Sequence, residues 1–506
     1  MKKLLSLVLA LVMMASVAAA APITDAADAH VSWLAMNSWY STVDLSHDAV
    51  LLDEIAKRAN VTIDWNLLDP STYSQSVSPM LAAGQDLPDV IQLPDLDLNM
   101  SYLSTGMFVA LDQYMDIMPN YSKFLAENPD VKGTLTAADG HIYYVPQTVV
   151  SKTYQPVMML NMPWLEKAGI EAPTTLDAFV EMLRYYRDND MNGNGDATDE
   201  IPMSVQSAFL PYMFAPAFGM DLVSGFYADD NNVVHYAAAE PEAYKAYLTF
   251  LHDLYTEGLL EVEFASLDRD QITARCANDL TGVTFDFSWQ MSNLYSAQYP
   301  EYDGTKGIIA GAKPLSGPCE GFYVGRNGVN MVFGVNAKAK DVELAVKLLD
   351  YAMGEEAQDL YVWGMEGLTY EVVDGARKFL PKCTEDAIWY QGLGINAPNM
   401  PSQQSAPATD VLLAPWHVEN RLTMEVPYVR NPFPNVYSTE EEASVVSMYQ
   451  VDIQTYVDER AVAFICGYAD IEAEFDGYLA ALDAMQLGEL LKVKQAQWDR
   501  YAAALN

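Results

Sequence analysis

An α/β fold of two lobes, each assembled from chain segments distant in sequence, is what this sequence predicts. Three observations lead there. Strand and helix periodicities alternate from residue 31 to 93; β-rich runs return at 279–289 and 328–336 after a long helical stretch; and no internal repeat or low-complexity linker divides the chain. Strand-helix-strand alternation implies a parallel sheet with helices on both faces. The late return of strands implies that the chain crosses between lobes more than once.

The N-terminus begins with Lys2 and Lys3, an apolar run from Leu4 to Val17 and small residues from Ala18 to Ala21. This is the three-part pattern of a secretory signal peptide, with cleavage expected after Ala20. The apolar run is shorter than the ~20 residues a membrane-crossing helix needs. The first cysteine is Cys276, so no lipid-accepting cysteine stands at the cleavage point. The mature chain is expected to be exported, in the periplasm or outside the cell, without a lipid anchor.

After the signal, Val31 to Tyr40 reads as a strand running into a loop. Asp48 is placed to cap a helix whose Leu51, Leu52, Ile55 and Ala59 form a stripe at helical spacing, and Val61, Ile63 and Trp65 alternate at strand spacing. A helix ending at Met80 to Ala83 stops at Gly84, and LPDVIQLP is a short apolar strand. Asp139 and Gly140 turn the chain into HIYYVPQ, an extended segment leaving this lobe. Helices follow at WLEKAGI, at 174–188 with Thr175 or Asp177 as cap, and at 240–257; VELAVKLLDYAM resumes the helical phase. The expected division is a signal peptide at 1–20, an N-terminal lobe from 21–145 and 281–336, and a C-terminal lobe from 146–280 and 337–506.

The chain has 506 residues with 28 Lys+Arg against 69 Asp+Glu, a formal charge of -41. Such a field repels polyanions and favours a soluble monomer. No basic stripe exists to neutralise phosphates, so nucleic acid is excluded as a partner class. Cys276, Cys319, Cys383 and Cys466 form no CxxC pair, which removes thiolate metal sites; one or two disulfides stay open.

The segment DMNGNGDATDE, residues 190–200, follows predicted helix directly. A hard cation such as calcium takes six to eight oxygens, most economically from alternate positions of a tight loop. Asp190, Asn192 and Asn194 stand at positions one, three and five, and Gly195 permits the turn. Asp196 offers a carbonyl, leaving Asp199 and Glu200 to close the shell. The match to an EF-hand is partial, because Ile201 stands where that motif carries its bidentate Glu. The plain alternative is a polar helix-to-strand connection rich in turn formers.

The run WLEKAGIEAPTTLDAFVEMLRYYRDNDMNGNGDATDEIPM resembles the extracellular solute-binding proteins of bacterial ABC importers, family 1, in the branch that takes up oligosaccharides. LAAGQDLPDVI, LTAADGHIYYVPQ, YTEGLLEVEF, AKPLSGP, WGMEGLTYEVVDG and IQTYVDERAVAFICG agree in the same order. The resemblance implies a periplasmic-binding-protein fold with a hinge, a ligand cleft between the lobes, and permease subunits of an ABC transporter as partners. It also implies a structural calcium held by Asp190, Asn192, Asn194, Asp196, Asp199 and Glu200.

Aromatic faces suit the apolar faces of sugar rings, and Asp, Asn and Glu hydrogen-bond hydroxyls. Residues of these kinds at expected strand ends are Asn37, Trp39 and Tyr40, Asp286 and Trp289, and Trp363, Glu366 and Tyr370. The competing reading for each aromatic is core packing, and Trp65 and Trp164 are read as core. Of the pairs Tyr143–Tyr144 and Tyr185–Tyr186, one ring each is expected inside. The acidity favours neutral glycans, unless a local basic patch at Arg326 or Arg421 reverses the preference.

The alternative function is a secreted carbohydrate-active hydrolase or lyase, which needs a carboxylate pair at defined separation. Among 69 acidic residues no sequence pattern selects such a pair, and HExxH, GxSxG and P-loop motifs are absent. No catalytic residue is assigned.

Overall fold

The structure is a computed structural model that describes residues 21–505, apart from 39–41, 46–48, 94–101, 104, 149–155, 293–306, 327, 404–409 and 411–412. Trp39, Tyr40, the Asp48 cap and the signal segment lie outside the described residues. Along the chain the strands are β1 (His30–Met36), β2 (Thr62–Leu68), β3 (Val90–Gln92), β4 (Tyr144–Thr148), β5 (Pro156–Asn161) and β6 (Ile201–Met203). There follow β7 (Phe226–Ala228), β8 (Val234–Tyr236), β9 (Thr281–Phe287), β10 (Ile309–Gly311) and β11 (Tyr323–Val324). The last are β12 (Val329–Val335), β13 (Tyr370–Val373), β14 (Ala376–Phe379), β15 (Ser402–Gln403) and β16 (Val429–Arg430).

Two sheets organise two separate hydrophobic cores. The first sheet runs β15-β4-β12-β3-β1-β2 and the second β10-β5-β9-β6. In the first, β1 pairs in parallel with β2 and β3, while β12 is antiparallel to both β3 and β4. The expected strand-helix-strand start is present. Helix Val50–Ala59 buries Leu51, Leu52, Ile55 and Ala59, each of the larger side chains contributing about 1.5–3 kcal/mol. Helix Tyr73–Ala83 ends at Gly84, whose φ of 60° supplies the left-handed cap that returns its N–H to the Met80 carbonyl.

In the second lobe, helix Leu176–Asp188 is capped by Thr175, whose hydroxyl accepts the Ala178 N–H at 3.2 Å. It buries Phe179, Met182, Leu183 and Tyr186. Its last turn delivers the chain to the acidic loop and then to β6 beside β9. The C-terminal helix Leu487–Ala504 braces this lobe against the first: Tyr501 packs over Gly133, and Arg500 donates both to Glu442 and to the Tyr437 carbonyl. Among the described residues no helix is long and apolar enough to cross a membrane.

The lobe boundaries differ from the expected 21–145 with 281–336 and 146–280 with 337–506. β9, at 281–287, pairs with β5 and β6 in the second sheet. Helices Val342–Ala352 and Glu355–Trp363, the β13–β14 hairpin and β15 join the first lobe, with Leu348, Leu349, Leu360 and Phe379 in its core. A strand apolar on both faces carries no mark of which sheet it enters; pairing partners decide that. The chain therefore crosses after β4, between β11 and β12, and after β15.

All four cysteines are free, Cys276 and Cys383 buried and Cys319 exposed.

Candidate functional site

The three crossings share one edge of the first sheet. β4 ends there at Thr148, β12 begins there at Val329 opposite Thr148, and β15 ends there beside β4, with Ser402 opposite Gln147. The carboxyl ends of β1 and β3 reach the same edge, because the Met36 N–H donates to the Gln92 side chain at 2.7 Å. In the second sheet the chain enters at Pro156, opposite Phe287 at the carboxyl end of β9. The strand ends that open α/β sheets use for ligands are thus the ends from which the lobes are connected.

Polar side chains line the first edge although they are buried. The Gln147 amide donates to the Tyr361 hydroxyl at 2.9 Å and to Ser402 at 3.2 Å, and its oxygen accepts from Asn330 at 3.2 Å. Asn399 is fully buried and its side-chain oxygen meets no donor. Asn37 shapes the following loop, donating to the Val43 carbonyl and accepting the Leu45 N–H, each at 2.7 Å. Gln92, Gln147, Asn399 and Ser402 escaped sequence reasoning, since an amide or hydroxyl at a strand end has no periodic signature; HIYYVPQ marked only the crossing.

On the second edge, Asp286 is buried and takes two hydrogen bonds from the Arg269 guanidinium, both at 2.8 Å. That guanidinium lies 5.8 Å from the centroid of the Trp289 ring. Trp289 itself is 40% exposed, an unusual state for tryptophan at a strand end. Asp286 is therefore a support: it fixes Arg269, which backs one face of an indole left open to solvent.

Trp363, Glu366 and Tyr370 gather elsewhere. Trp363 stacks on Phe379 at 4.9 Å, and Arg377, paired with Asp359, covers both Trp363 and Tyr370. Glu366 is exposed in the turn before β13. Trp363 also borders a cavity of about 410 Å³ with Asn120, Gln358 and Gln403. The expected residues thus separate into Asn37 on the first edge, Asp286 and Trp289 on the second, and a hairpin cluster whose ring and cation contacts stay among themselves, its cavity reaching the first edge only at Gln403. A cavity of about 680 Å³ lies between helices Leu176–Asp188 and Pro241–Thr256. It is lined by the ion-paired Arg184, Glu257 and Lys245, and no strand end opens into it.

Behind Trp289 sits a buried polar group of Ser288, His417, Arg421 and Glu425. Arg421 is tied to Asp410, a residue of the third crossing. Neither Glu425 oxygen meets a donor in good geometry. Burial pushes its carboxyl up to about 7, with Ser288 and Arg421 only partly offsetting the effect. Burial also holds His417 down to about 4. The unfolded chain ionises Glu425 above its ordinary 4.5 while the folded chain keeps the proton to about 7. Its contribution is therefore complete below pH ~4.5 and declines as pH rises towards ~7, by about 3 kcal/mol in all. Glu425→Gln is expected to match wild type near pH 4 and exceed it in urea stability by up to about 3 kcal/mol near pH 8. A variant that gains nothing at the higher pH contradicts the assignment. A carboxyl near 7 also suits a general acid, but Glu425 is fully buried, so no glycosidic oxygen reaches it in this fold.

The acidic loop folds on its own polar atoms. The Asp190 carboxylate accepts the N–H groups of Gly193 and Gly195 at 2.6 and 2.9 Å, and Asn192 and Asn194 accept from Asn194 and Asp196 N–H. Asp196 accepts from Thr198 N–H and hydroxyl, which hold its carboxyl below the usual range. Asp199 takes the amides of Asn192 and Asn194 at 3.4 and 2.7 Å. Glu200 is buried; one oxygen accepts the Met191 N–H at 2.6 Å and the other meets no donor. Such an orphaned buried carboxylate oxygen fits a cation ligand. Among the described residues, however, no three His, Cys, Asp or Glu side chains stand close enough to hold a metal as placed. Coordination requires the two amides to turn their oxygens inward and the carboxylates to draw together.

The family model for bacterial extracellular solute-binding proteins matches residues 47–359. The fructooligosaccharide ABC transporter substrate-binding protein FusA of Streptococcus pneumoniae serotype 4 (strain ATCC BAA-334 / TIGR4) is 27% identical over 495 residues, covering 91% of this chain and 88% of the relative. The structure of S. pneumoniae FusA with kestose superposes with a TM-score of 0.73 at 25% identity, covering 94% of this chain and 99% of that one. An extracellular solute-binding protein of Bifidobacterium longum subsp. infantis gives a TM-score of 0.77 at 21% identity, over 94% and 98% of the two chains.

Proposed function

The chain belongs to the family of bacterial extracellular solute-binding proteins, and from that premise we propose that it captures an oligosaccharide between its lobes and delivers it to the permease subunits of an ABC importer. The observation that carries this reading is the pairing of edges. Three crossings leave one side of the first sheet, where Gln147 and Ser402 are buried, and the exposed Trp289 stands at the entry side of the second. Ligand contacts made to both lobes at once favour the closed state, and the free energy of that difference drives closure. FusA, which carries its ligand class in its name, aligns over 91% of this chain and supports an oligosaccharide here. The fold of the B. longum protein supports the same two-lobed architecture.

The protein acts by binding alone, as an exported monomer with no chemistry of its own. Calcium is its structural cofactor, held by Asp190, Asn192, Asn194, Asp196, Asp199 and Glu200; the orphaned oxygen of Glu200 supports this. The ion supplies a fixed positive charge that gathers the loop's carboxylates, and takes no part in ligand capture.

A panel of oligosaccharides added to the purified mature protein is expected to include one that shifts the tryptophan emission and raises Tm, while product analysis after long incubation finds the sugar intact. Turnover overturns the binding-only reading in favour of the hydrolase or lyase. Silence across the panel overturns the oligosaccharide.

A further inference from the structure

A cavity of about 380 Å³ opens where the second lobe meets its crossings, lined among others by Pro156, Tyr212, Phe287, Arg326, Phe433 and Lys494. Pro156 begins β5, Phe287 ends β9, and Arg326 lies on the crossing between β11 and β12. The cavity is therefore continuous with the strand-end side described above. Tyr212, Phe226, Phe287 and Phe433 supply aromatic rings to walls that also carry Ser224, Asn435 and Gln450, and two cations enter them. Among the described residues neither Arg326 nor Lys494 has a carboxylate within ion-pair distance, in a chain with 28 Lys+Arg against 69 Asp+Glu. Lys494 instead points its ammonium at Phe226, 5.3 Å from the ring centroid.

Of the neighbouring acids, Asp130 borders a small cavity with Arg326 but forms no ion pair with it, and the others are committed elsewhere. Asp221 accepts the N–H groups of Val223 and Ser224 at 3.0 and 2.9 Å, and burial raises its pKa, which favours the neutral form. Glu442, the acid that acts on Lys494, is held by Arg500 at 2.7 and 2.6 Å. Burial lowers the pKa of both cations; Arg326 has no carboxylate in ion-pair contact, and Lys494 feels only Glu442, which Arg500 already holds. Two unpaired, part-buried cations cost stability, which is the arrangement expected where a ligand brings the missing charge.

We propose that this cavity receives a sugar ring bearing an oxyanion, either the carboxylate of an acidic sugar or a sulfate or phosphate ester, with Arg326 and Lys494 as its counter-ions. The aromatic walls take the ring and the guanidinium and ammonium take the charge. This rests on the oligosaccharide reading above and reverses the preference for neutral glycans that the overall acidity suggests. Because Arg326 belongs to a crossing and Lys494 to the C-terminal helix, the anion also ties the hinge to the second lobe.

The test is calorimetric titration of the intact protein with trigalacturonate, a sulfated disaccharide, a phosphorylated disaccharide, neutral trisaccharides and inorganic sulfate. At least one acidic saccharide is expected to bind, with affinity falling about tenfold or more in Arg326→Gln and in Lys494→Met. It is also expected to fall between about 0.05 and about 0.5 M NaCl. The identity of the acidic saccharide that binds distinguishes carboxylate from ester. Lys494→Met keeps the stem against Phe226, and its unliganded Tm is expected to equal or exceed wild type, which separates lost binding from lost folding. Binding of neutral sugars but no acidic one overturns this inference and leaves the oligosaccharide reading intact; so does unchanged affinity in both variants. Inorganic sulfate binding as tightly as the saccharides reduces the site to a bare anion pocket and overturns the sugar ring. Failure of every saccharide, charged or neutral, sinks the parent reading instead.

Discussion

Chelation by EGTA is expected to lower the Tm of the purified protein by roughly 8–16 °C. A thousandfold excess of calcium over Kd contributes about 4 kcal/mol by linkage, and a lobe of this size shifts ~2–4 °C per kcal/mol. The loop explains why the effect is large. It joins helix Leu176–Asp188 to β6, and Met191 within it is buried in the second core. Without a cation, the carboxylates of Asp190, Asp196 and Asp199 are held only by the loop's own donors, and one Glu200 oxygen is left buried and unpaired. Lys167 supplies some positive charge, donating to the Asp190 and Met191 carbonyls at 2.7 and 3.1 Å, but it reaches no carboxylate there. Asp190→Ala should therefore melt like the chelated wild type and ignore EGTA. A wild-type Tm indifferent to chelator leaves the loop as a turn and removes calcium from the account.

Gly282→Val is expected to destabilise the second lobe by at least about 3 kcal/mol, the upper range for overpacking a core. Gly282 lies in β9, and a Cβ there would stand 2.5 Å from Tyr186 Cδ2 and 2.8 Å from Trp164 Cε3. Those rings meet edge to face at 5.3 Å, and neither can retreat cheaply. The Trp164 indole N–H is fixed to the buried Asp279 carboxylate at 3.1 Å, which also takes the Asn161 amide at 2.9 Å. In urea, with tryptophan emission as the probe, the variant should unfold in two steps, the second lobe first. A single transition at the wild-type midpoint contradicts this packing.

Local structure was legible wherever one periodicity ruled a segment. The stripe Leu51, Leu52, Ile55 and Ala59 is buried as read, the Thr175 cap and the Gly84 stop are in place, and Trp164 is core. Tyr185 is exposed and Tyr186 buried, because only Tyr186 continues the helix's stripe of Phe179, Met182 and Leu183, whereas Tyr143 and Tyr144 are both buried because the chain there enters the sheet between two covered faces. What failed was long-range. Nothing local to TGVTFDF says that it pairs with β5 instead of β12, and the loss of that one pairing displaced the lobe boundaries. At the site, Trp289 stood out because an aromatic at a strand end is visible in sequence. Gln147, Ser402 and Asn399 acquire meaning only when strands 250 residues apart bring them to one edge. Arg326 was visible as a cation, but its lack of a partner is a property of the fold.

Capture between the lobes is tested most directly by the electron density of crystals grown with the oligosaccharide that the panel selects. The account predicts sugar density between the edge carrying Gln147 and Ser402 and the open face of Trp289, with a ring lying flat on the indole. Density confined to the cavity beside Trp363, with no sugar on Trp289 or beside Gln147 and Ser402, would contradict it.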